Sequence, residues 1–143
     1  MNCMGESLAF HYEVDGGDFT SAGQASVKIK KNLRQLGVDA ETIRRVSIAM
    51  YEGEINMVIH ANGGNADVIV DDTGVTIILA DKGPGIADTE KAMEEGYSTA
   101  PDNVRSLGFG AGMGLPNMKR YTDDMKIESV LGEGTTITMK VNF

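Results

Sequence analysis

The alternation of apolar and polar positions divides the chain into a strand, two helices, a hairpin, an aperiodic middle, a further helix and a closing hairpin. Leu8-Ala9-Phe10-His11-Tyr12-Glu13-Val14 alternates with a period near two and predicts a strand that turns at Asp15-Gly16-Gly17. Ser21-Ala22-Gly23-Gln24 fits a capping box, in which the serine side chain accepts an amide proton and the glutamine reaches back. Ala25, Ile29, Leu33 and Leu36 then recur at helical spacing, and Gly37 is placed to end that helix. Asp39 is placed to cap a second, longer helix. Ile43, Val46 and Met50 mark one side of it, Ile48, Ile55 and Ile59 widen the apolar zone, and Asn62-Gly63-Gly64 stops it. Ala66 to Val70 and Val75 to Ala80 are β-rich runs around Asp71-Asp72-Thr73-Gly74, a hairpin signal.

Past Asp81 the periodicity fades. Asp88 is placed to cap a short helix to about Glu95, and Gly96 breaks it. From Tyr97 to Gly114 small and polar residues follow one another with no period, which predicts a mobile loop. Pro116 suits the first turn of another helix running to about Asp124. Strands near Met125–Val130 and Thr135–Val141 close the chain around Leu131-Gly132-Glu133-Gly134. Adjacent pairs of strands and blocks of helices predict an α+β architecture of two layers, one mixed sheet with helices on one face. At 143 residues the chain is expected to form one domain, 1–143.

Composition narrows the function. Apolar residues make up 41% and charged residues 24%, as in soluble globular proteins. Thirteen basic against twenty-one acidic residues give a net charge of −8, which argues against nucleic acid or an anionic membrane as the main partner. An anionic ligand therefore needs local help from backbone amides, a metal ion or a few placed cations. Cys3 is the only cysteine, so an internal disulfide and a cysteine zinc site are excluded. With only His11 and His60, a histidine metal cluster is not expected. No signal-peptide pattern or long apolar run is present, and the expected compartment is the cytoplasm.

Three short stretches carry candidate chemistry. Glu52, Asn56 and His60 are spaced by four and share one face of a helix that is otherwise rich in apolar residues. An amide oxygen such as that of Asn56 suits magnesium, and a carboxylate one turn away, Glu52, suits deprotonation of an attacking hydroxyl. A solvated helix face would show the same spacing. Gly53, inside this helix, costs roughly 1 kcal/mol against alanine and reads either as close approach by a ligand or neighbouring backbone or as tolerated strain. Asp81-Lys82-Gly83-Pro84-Gly85 follows a strand. Its carboxylate can accept from the exocyclic amine of a purine, and Gly83 and Gly85 let backbone approach a flat ring, although Asp and Gly are also ordinary turn residues. Gly110-Ala111-Gly112-Met113-Gly114-Leu115 frees backbone amides to converge on an anion, or serves as a hinge. It lacks the third glycine of the dinucleotide fingerprint, and neither a phosphate loop nor the protein-kinase motifs occur.

Taken in order, these stretches resemble the motifs of the GHKL ATP-binding fold shared by gyrase, MutL, histidine kinases and the anti-sigma-factor serine kinases. Glu52–Asn56 resembles its first box, Asp81 to Gly85 its second, Gly110 to Leu115 its third, and Gly132-Glu133-Gly134-Thr135-Thr136 its closing element. Within that group the chain is similar to the small bacterial anti-sigma regulatory kinases. The similarity is clearest at Glu95-Gly96-Tyr97-Ser98-Thr99 and Gly112-Met113-Gly114-Leu115-Pro116, which look like the switch-kinase branch. Pro101-Asp102-Asn103-Val104-Arg105-Ser106 resembles the lid of a sporulation anti-sigma kinase.

The resemblance implies a Bergerat-type fold with a mobile ATP lid at about 97–114, ATP and magnesium as cofactors, and protein serine/threonine kinase activity in a partner-switching system. It implies catalytic roles for Glu52 and Arg105, magnesium at Asn56, and nucleotide contacts from Asp81, Gly83, Gly85, Gly110, Gly112, Gly114 and Leu115. Thr136 or its neighbour Thr135 would contact the adenine or its water. The implied substrate is a STAS-domain antagonist or scaffold protein, with a sigma factor or a downstream phosphatase as further partners and room for a homodimer. A nucleotide-dependent anti-sigma binding module with little transferase activity is the alternative, and an ATPase that activates water is a third. Two departures stand out: Gly53 replaces the large apolar residue that usually follows the first-box glutamate, and Ala100 stands where some relatives carry a lid lysine.

Overall fold

The computed structural model describes residues 7–16, 23–61, 63–83 and 114–143. Within them the chain runs β1 (Leu8–Asp15), α1 (Gln24–Gln35), α2 (Ala40–Ala61), β2 (Gly63–Val70), β3 (Gly74–Ala80), α3 (Gly114–Arg120), β4 (Asp124–Val130) and β5 (Gly134–Asn142). The strands form one sheet in the order β1-β2-β3-β5-β4. The α+β layering matches the expectation. The sheet itself, expected to be mixed, is antiparallel at all four pairings among the described residues. The reason lies in the first connection. One crossover helix returns a strand parallel to its predecessor, whereas the two helices α1 and α2 return β2 antiparallel to β1.

Register gathers most of the apolar strand residues on one face. Phe10, Val68, Ile77, Met139 and Met125 lie in one row across the sheet, and Tyr12, Ala66, Leu79, Ile137 and Ile127 in the next. Ile29 and Leu33 of α1 and Val46, Ala49 and Met50 of α2 join these rows in a single core. The other face carries His11, Asp67, Ile78, Thr138 and Lys126 in one register row and is half-buried or exposed, as one face of an antiparallel sheet often is.

Local chemistry sets most element ends. Past α1, Gly37 takes φ 79°, its N–H donates to Arg34 O and that of Val38 donates to Leu33 O, both at 3.1 Å, completing a Schellman motif. Asp39 caps α2: its Oδ2 accepts from Thr42 N at 3.0 Å and its Oδ1 from Thr42 Oγ1 at 2.6 Å. Two boundaries differ from expectation. β2 begins at Gly63 because Gly63 to Asn65 pair with β1, although their own strand preference is weak. α3 begins at Gly114, before Pro116, and stops at Arg120, since β4 has already begun at Asp124. Residues 84–113, which include the helix expected from Asp88 and nearly all of the lid, lie outside the described residues. None of the described helices is long and apolar enough to cross a membrane.

Candidate functional site

The candidate residues gather around the second half of α2. This helix is buried along most of its length, from Thr42 and Ile43 to Met57 and Val58. Gly53 lies where α2 meets both β3 and α3. A Cβ there would stand 2.0 Å from Leu79 Cδ1 and 3.2 Å from Met118 Sδ. Close approach thus explains this glycine, and the approaching groups are core side chains of the protein.

α3 lies along α2 in the opposite sense. Its first residue, Gly114, rests on Asn56, where a Cβ would come within 2.8 Å of Nδ2 and 2.9 Å of Oδ1. Met118 faces Gly53. At the far end Arg45 Nε donates to Tyr121 O at 3.1 Å, and Arg45 Nη2 pairs with Asp123 Oδ2 at 3.2 Å. The third glycine box therefore ends directly on the amide of the first box. Leu115 turns its side chain into the core, so any ligand contact from it would come from its backbone.

Glu52 is half-buried. Burial pushes its carboxyl above the ordinary carboxylate range, and a hydrogen bond from the Asn117 side chain works against that rise. Such a group is a stronger proton acceptor than an exposed glutamate, and it lies one helical turn from Asn56.

Asp81 forms the other end. Its N–H donates to Thr135 O at 2.9 Å, and its Oδ1 accepts from Thr135 N at 3.1 Å and from Gly83 N at 2.9 Å. These bonds fix the carboxylate, and among the described residues none of the bonds falls on Oδ2. Gly83 rests on the end of α2, where a Cβ would meet Ala61 Cβ at 2.6 Å and Cα at 2.7 Å. Asn56 and Ala61 are five residues apart on that helix, about 7.5 Å along its axis. Glu52 and Asn56 thus stand on the last turns of α2, with Gly114 seated on Asn56 and Gly83, bonded to Asp81, seated on Ala61.

The two threonines of the closing element part company. Thr135 is buried beside Asp81, with Oγ1 2.8 Å from Ser129 Oγ, while Thr136 belongs to the register row of Ala80 and Glu128 on the sheet's other face. Gly85, Arg105, Gly110 and Gly112 lie outside the described residues.

Sequence reasoning passed over two polar residues. Asn117 adjoins Glu52, and nothing local in Pro116-Asn117-Met118 announces it. Glu54 is 2% exposed, and its carboxylate accepts three backbone N–H groups at the start of α1: Gly23 and Ala25 on Oε2 at 2.8 and 3.1 Å, Ser26 on Oε1 at 3.1 Å. The N-cap of α1 is Gly23, with no side-chain cap of its own. A remote carboxylate therefore takes the place expected for the capping box, whose Ser21 lies outside the described residues. Nothing in Tyr51-Glu52-Gly53-Glu54-Ile55-Asn56 marks Glu54 rather than Glu52 as the buried carboxylate.

Among the described residues no group of three or more His, Cys, Asp or Glu side chains could hold a metal by itself. The donor chemistry fits a metal carried in on phosphates: Asn56 offers a neutral amide oxygen, and magnesium commonly keeps one or two protein ligands beside phosphate oxygens. The fixed Asp81 carboxylate likewise fits an amino-bearing ring.

Comparison with known proteins gives the family. The model of the histidine kinase-like ATPase domain matches residues 18–141, and the chain belongs to that family. An anti-sigma F factor of Clostridium acetobutylicum is 36% identical over 124 residues, 83% of each chain. The serine/threonine-protein kinase RsbT of Bacillus subtilis is 35% identical over 124 residues, 84% of this chain and 85% of the relative. These relatives define its branch, the anti-sigma regulatory protein kinases of partner switching. A solved structure of RsbU and RsbW domains from Mycobacterium tuberculosis shares the fold, with a TM-score of 0.63 at 17% identity. It matches 94% of this chain, which spans 32% of that longer one.

Proposed function

We propose that the chain transfers the γ-phosphoryl group of ATP to a serine or threonine hydroxyl on a STAS-domain partner in the cytoplasm. The observation that carries this reading is the convergence on α2 of a desolvated carboxylate, Glu52, an amide, Asn56, and a purine-type acceptor, Asp81. Asp81 accepts from the exocyclic amine of adenine, with Gly83 and Gly85 alongside the ring and Thr135, rather than Thr136, beside the carboxylate. Asn56 would ligate magnesium, and Gly110, Gly112 and Gly114 are assigned to the phosphates. Magnesium, when bound, neutralises phosphate charge and orients the transferring group. Glu52 takes the proton of the hydroxyl as its oxygen bonds to the γ-phosphorus and the bond to the bridging oxygen breaks, leaving ADP. Arg105 is assigned to the γ-phosphate or to the partner. Phosphoryl transfer asks a protein mainly for positioning and charge neutralisation, which suits so small a set of groups.

The test is Glu52→Ala assayed with labelled ATP and a purified STAS-domain protein, alongside calorimetry with magnesium-ATP. Transfer is expected to fall by at least about 100-fold with nucleotide affinity retained. Wild-type transfer by the variant would refute the base assignment. A second reading, favoured by the anti-sigma names among the relatives, is nucleotide-dependent sequestration of a sigma factor. Binding that differs between ADP and ATP without any phosphorylated product would favour it.

A further inference from the structure

We infer that Asn117, held on α3 between Gly114 and the buried Met118, is a positioning residue for Glu52. The inference rests on the reading of Glu52 as the base and adds a residue that reading does not contain.

Three observations support it. First, the contacts between α2 and α3 run in antiparallel order, Gly114 against Asn56, Met118 against Gly53 and Tyr121 against Arg45, and the side chain of Asn117, next to Met118, meets Glu52, next to Gly53. Second, the amide of Asn117 has one consistent orientation. Arg120 Nη1 can only donate, and it donates to Asn117 Oδ1 at 3.4 Å. The Nδ2 side is then the side that meets Glu52, whose carboxylate can only accept when ionised. A flipped amide would set oxygen against oxygen on one side and NH₂ against a guanidinium on the other.

Third, the far end of α3 is fastened. Arg45 holds both Tyr121 O and Asp123, Asp123 Oδ2 also accepts from Asn142 N at 2.7 Å, and Met118 is fully buried. The helix is thus held along its length, by Gly114 on Asn56, by Leu115 and Met118 in the core and by Arg45 just past its C-terminal end, with Asn117 between. Asn117 therefore meets the carboxylate from a fixed position, between the seat of Gly114 on Asn56 and the core contact of Met118 with Gly53.

The test is a double-mutant cycle on the full chain. Asn117→Leu keeps the size and removes the donor. Asn117→Asp keeps the shape and sets a second carboxylate against Glu52. Both are combined with Glu52→Asp, whose shorter side chain draws the carboxylate away from position 117 while leaving residual activity. Single-turnover transfer from labelled ATP to a STAS-domain protein is read alongside calorimetric affinity for magnesium and a non-hydrolysable ATP analogue. The same cycle is read on the slow hydrolysis of magnesium-ATP without a partner, where water replaces the hydroxyl.

In the wild-type background Asn117→Leu is expected to lower the rate about 10-fold, and Asn117→Asp more, with nucleotide affinity within about twofold. In the Glu52→Asp background Asn117→Leu is expected to cost less than about twofold. Equal losses in both backgrounds would make Asn117 a packing residue and overturn the inference, as would wild-type rates for Asn117→Leu while Glu52→Ala is inactive. Full activity of Glu52→Ala would remove the base assignment and this inference with it. Coupled losses in hydrolysis with no transfer to any STAS protein would uphold the positioning role and sink only the proposed substrate.

Discussion

Glu54 is expected to be the most costly single side chain to remove from α2, although it takes no part in the proposed chemistry. Its carboxylate is buried and is the common acceptor for the N–H groups of Gly23, Ala25 and Ser26. An N-terminal helix end has four N–H groups without intrahelical partners, and it favours a negative charge. Hydrogen bonds to a charged group contribute about 1.5–3 kcal/mol each, and an orphaned buried donor costs about 1–3 kcal/mol. The three bonds share one carboxylate and are not additive. Water reaches part of the vacated space, so Glu54→Ala is expected to lose about 3–5 kcal/mol. A domain of this kind has about 5–15 kcal/mol in total, so the variant should remain folded but be much weakened. Glu54→Gln keeps the volume and one acceptor oxygen and should lose about half as much. Urea unfolding followed by circular dichroism reads both, with equal slopes against denaturant required for a clean comparison. A loss below about 1 kcal/mol for the alanine variant, or equal losses for the two, would refute the remote-cap argument.

Gly53→Ala gains roughly 1 kcal/mol of helix propensity but forces Leu79 or Met118 to move, at about 1–3 kcal/mol. Thermal unfolding is expected to show a net loss that the added change Leu79→Val relieves. Asp81→Asn keeps an oxygen for the amides of Gly83 and Thr135 but turns an NH₂ toward the purine amine. Calorimetry with magnesium-ATP should show affinity lower by about 10–100-fold in a chain of nearly wild-type stability. Glu52→Gln tests the sign of the burial effect: the fold raises this carboxyl's proton affinity, so its ionised form is held at a cost. The glutamine chain should therefore be the more stable one at neutral pH, and its advantage should vanish as pH falls below the ordinary carboxylate range, which melting curves between about pH 3 and 8 would show.

What the sequence disclosed, it disclosed where the deciding interaction is local. Gly37 and Asp39 act within a few residues of themselves, so the end of α1 and the start of α2 were readable. Strand alternation was readable because one sheet face is buried. The misjudged features all depend on partners far along the chain. The antiparallel return of β2 depends on two helices packing as a pair, the strand state of Gly63 to Asn65 on β1, and the cap of α1 on a residue 31 positions after Gly23. The candidate site divides in the same way. The spacing of Glu52 and Asn56 is a property of one helix, whereas the seating of Gly83 on Ala61 and of Gly114 on Asn56 exists only in three dimensions.

That division gives Gly53 a meaning its position alone did not have. A side chain at 53 would fill the space now taken by Leu79 and Met118, and α3 would stand further from α2. Asn117 is one residue from Met118 on the same short helix, so the distance at which Met118 packs also sets the reach of Asn117 toward Glu52. Small residue and amide are then two halves of one arrangement, and a chain with a large residue at the first position would have no use for an amide at the second. Gly53→Ala should accordingly reproduce the kinetic signature of Asn117→Leu, a slower transfer at nearly unchanged nucleotide affinity, beyond any loss of stability. If the variant instead slows transfer only in proportion to its unfolded fraction, the two positions are independent.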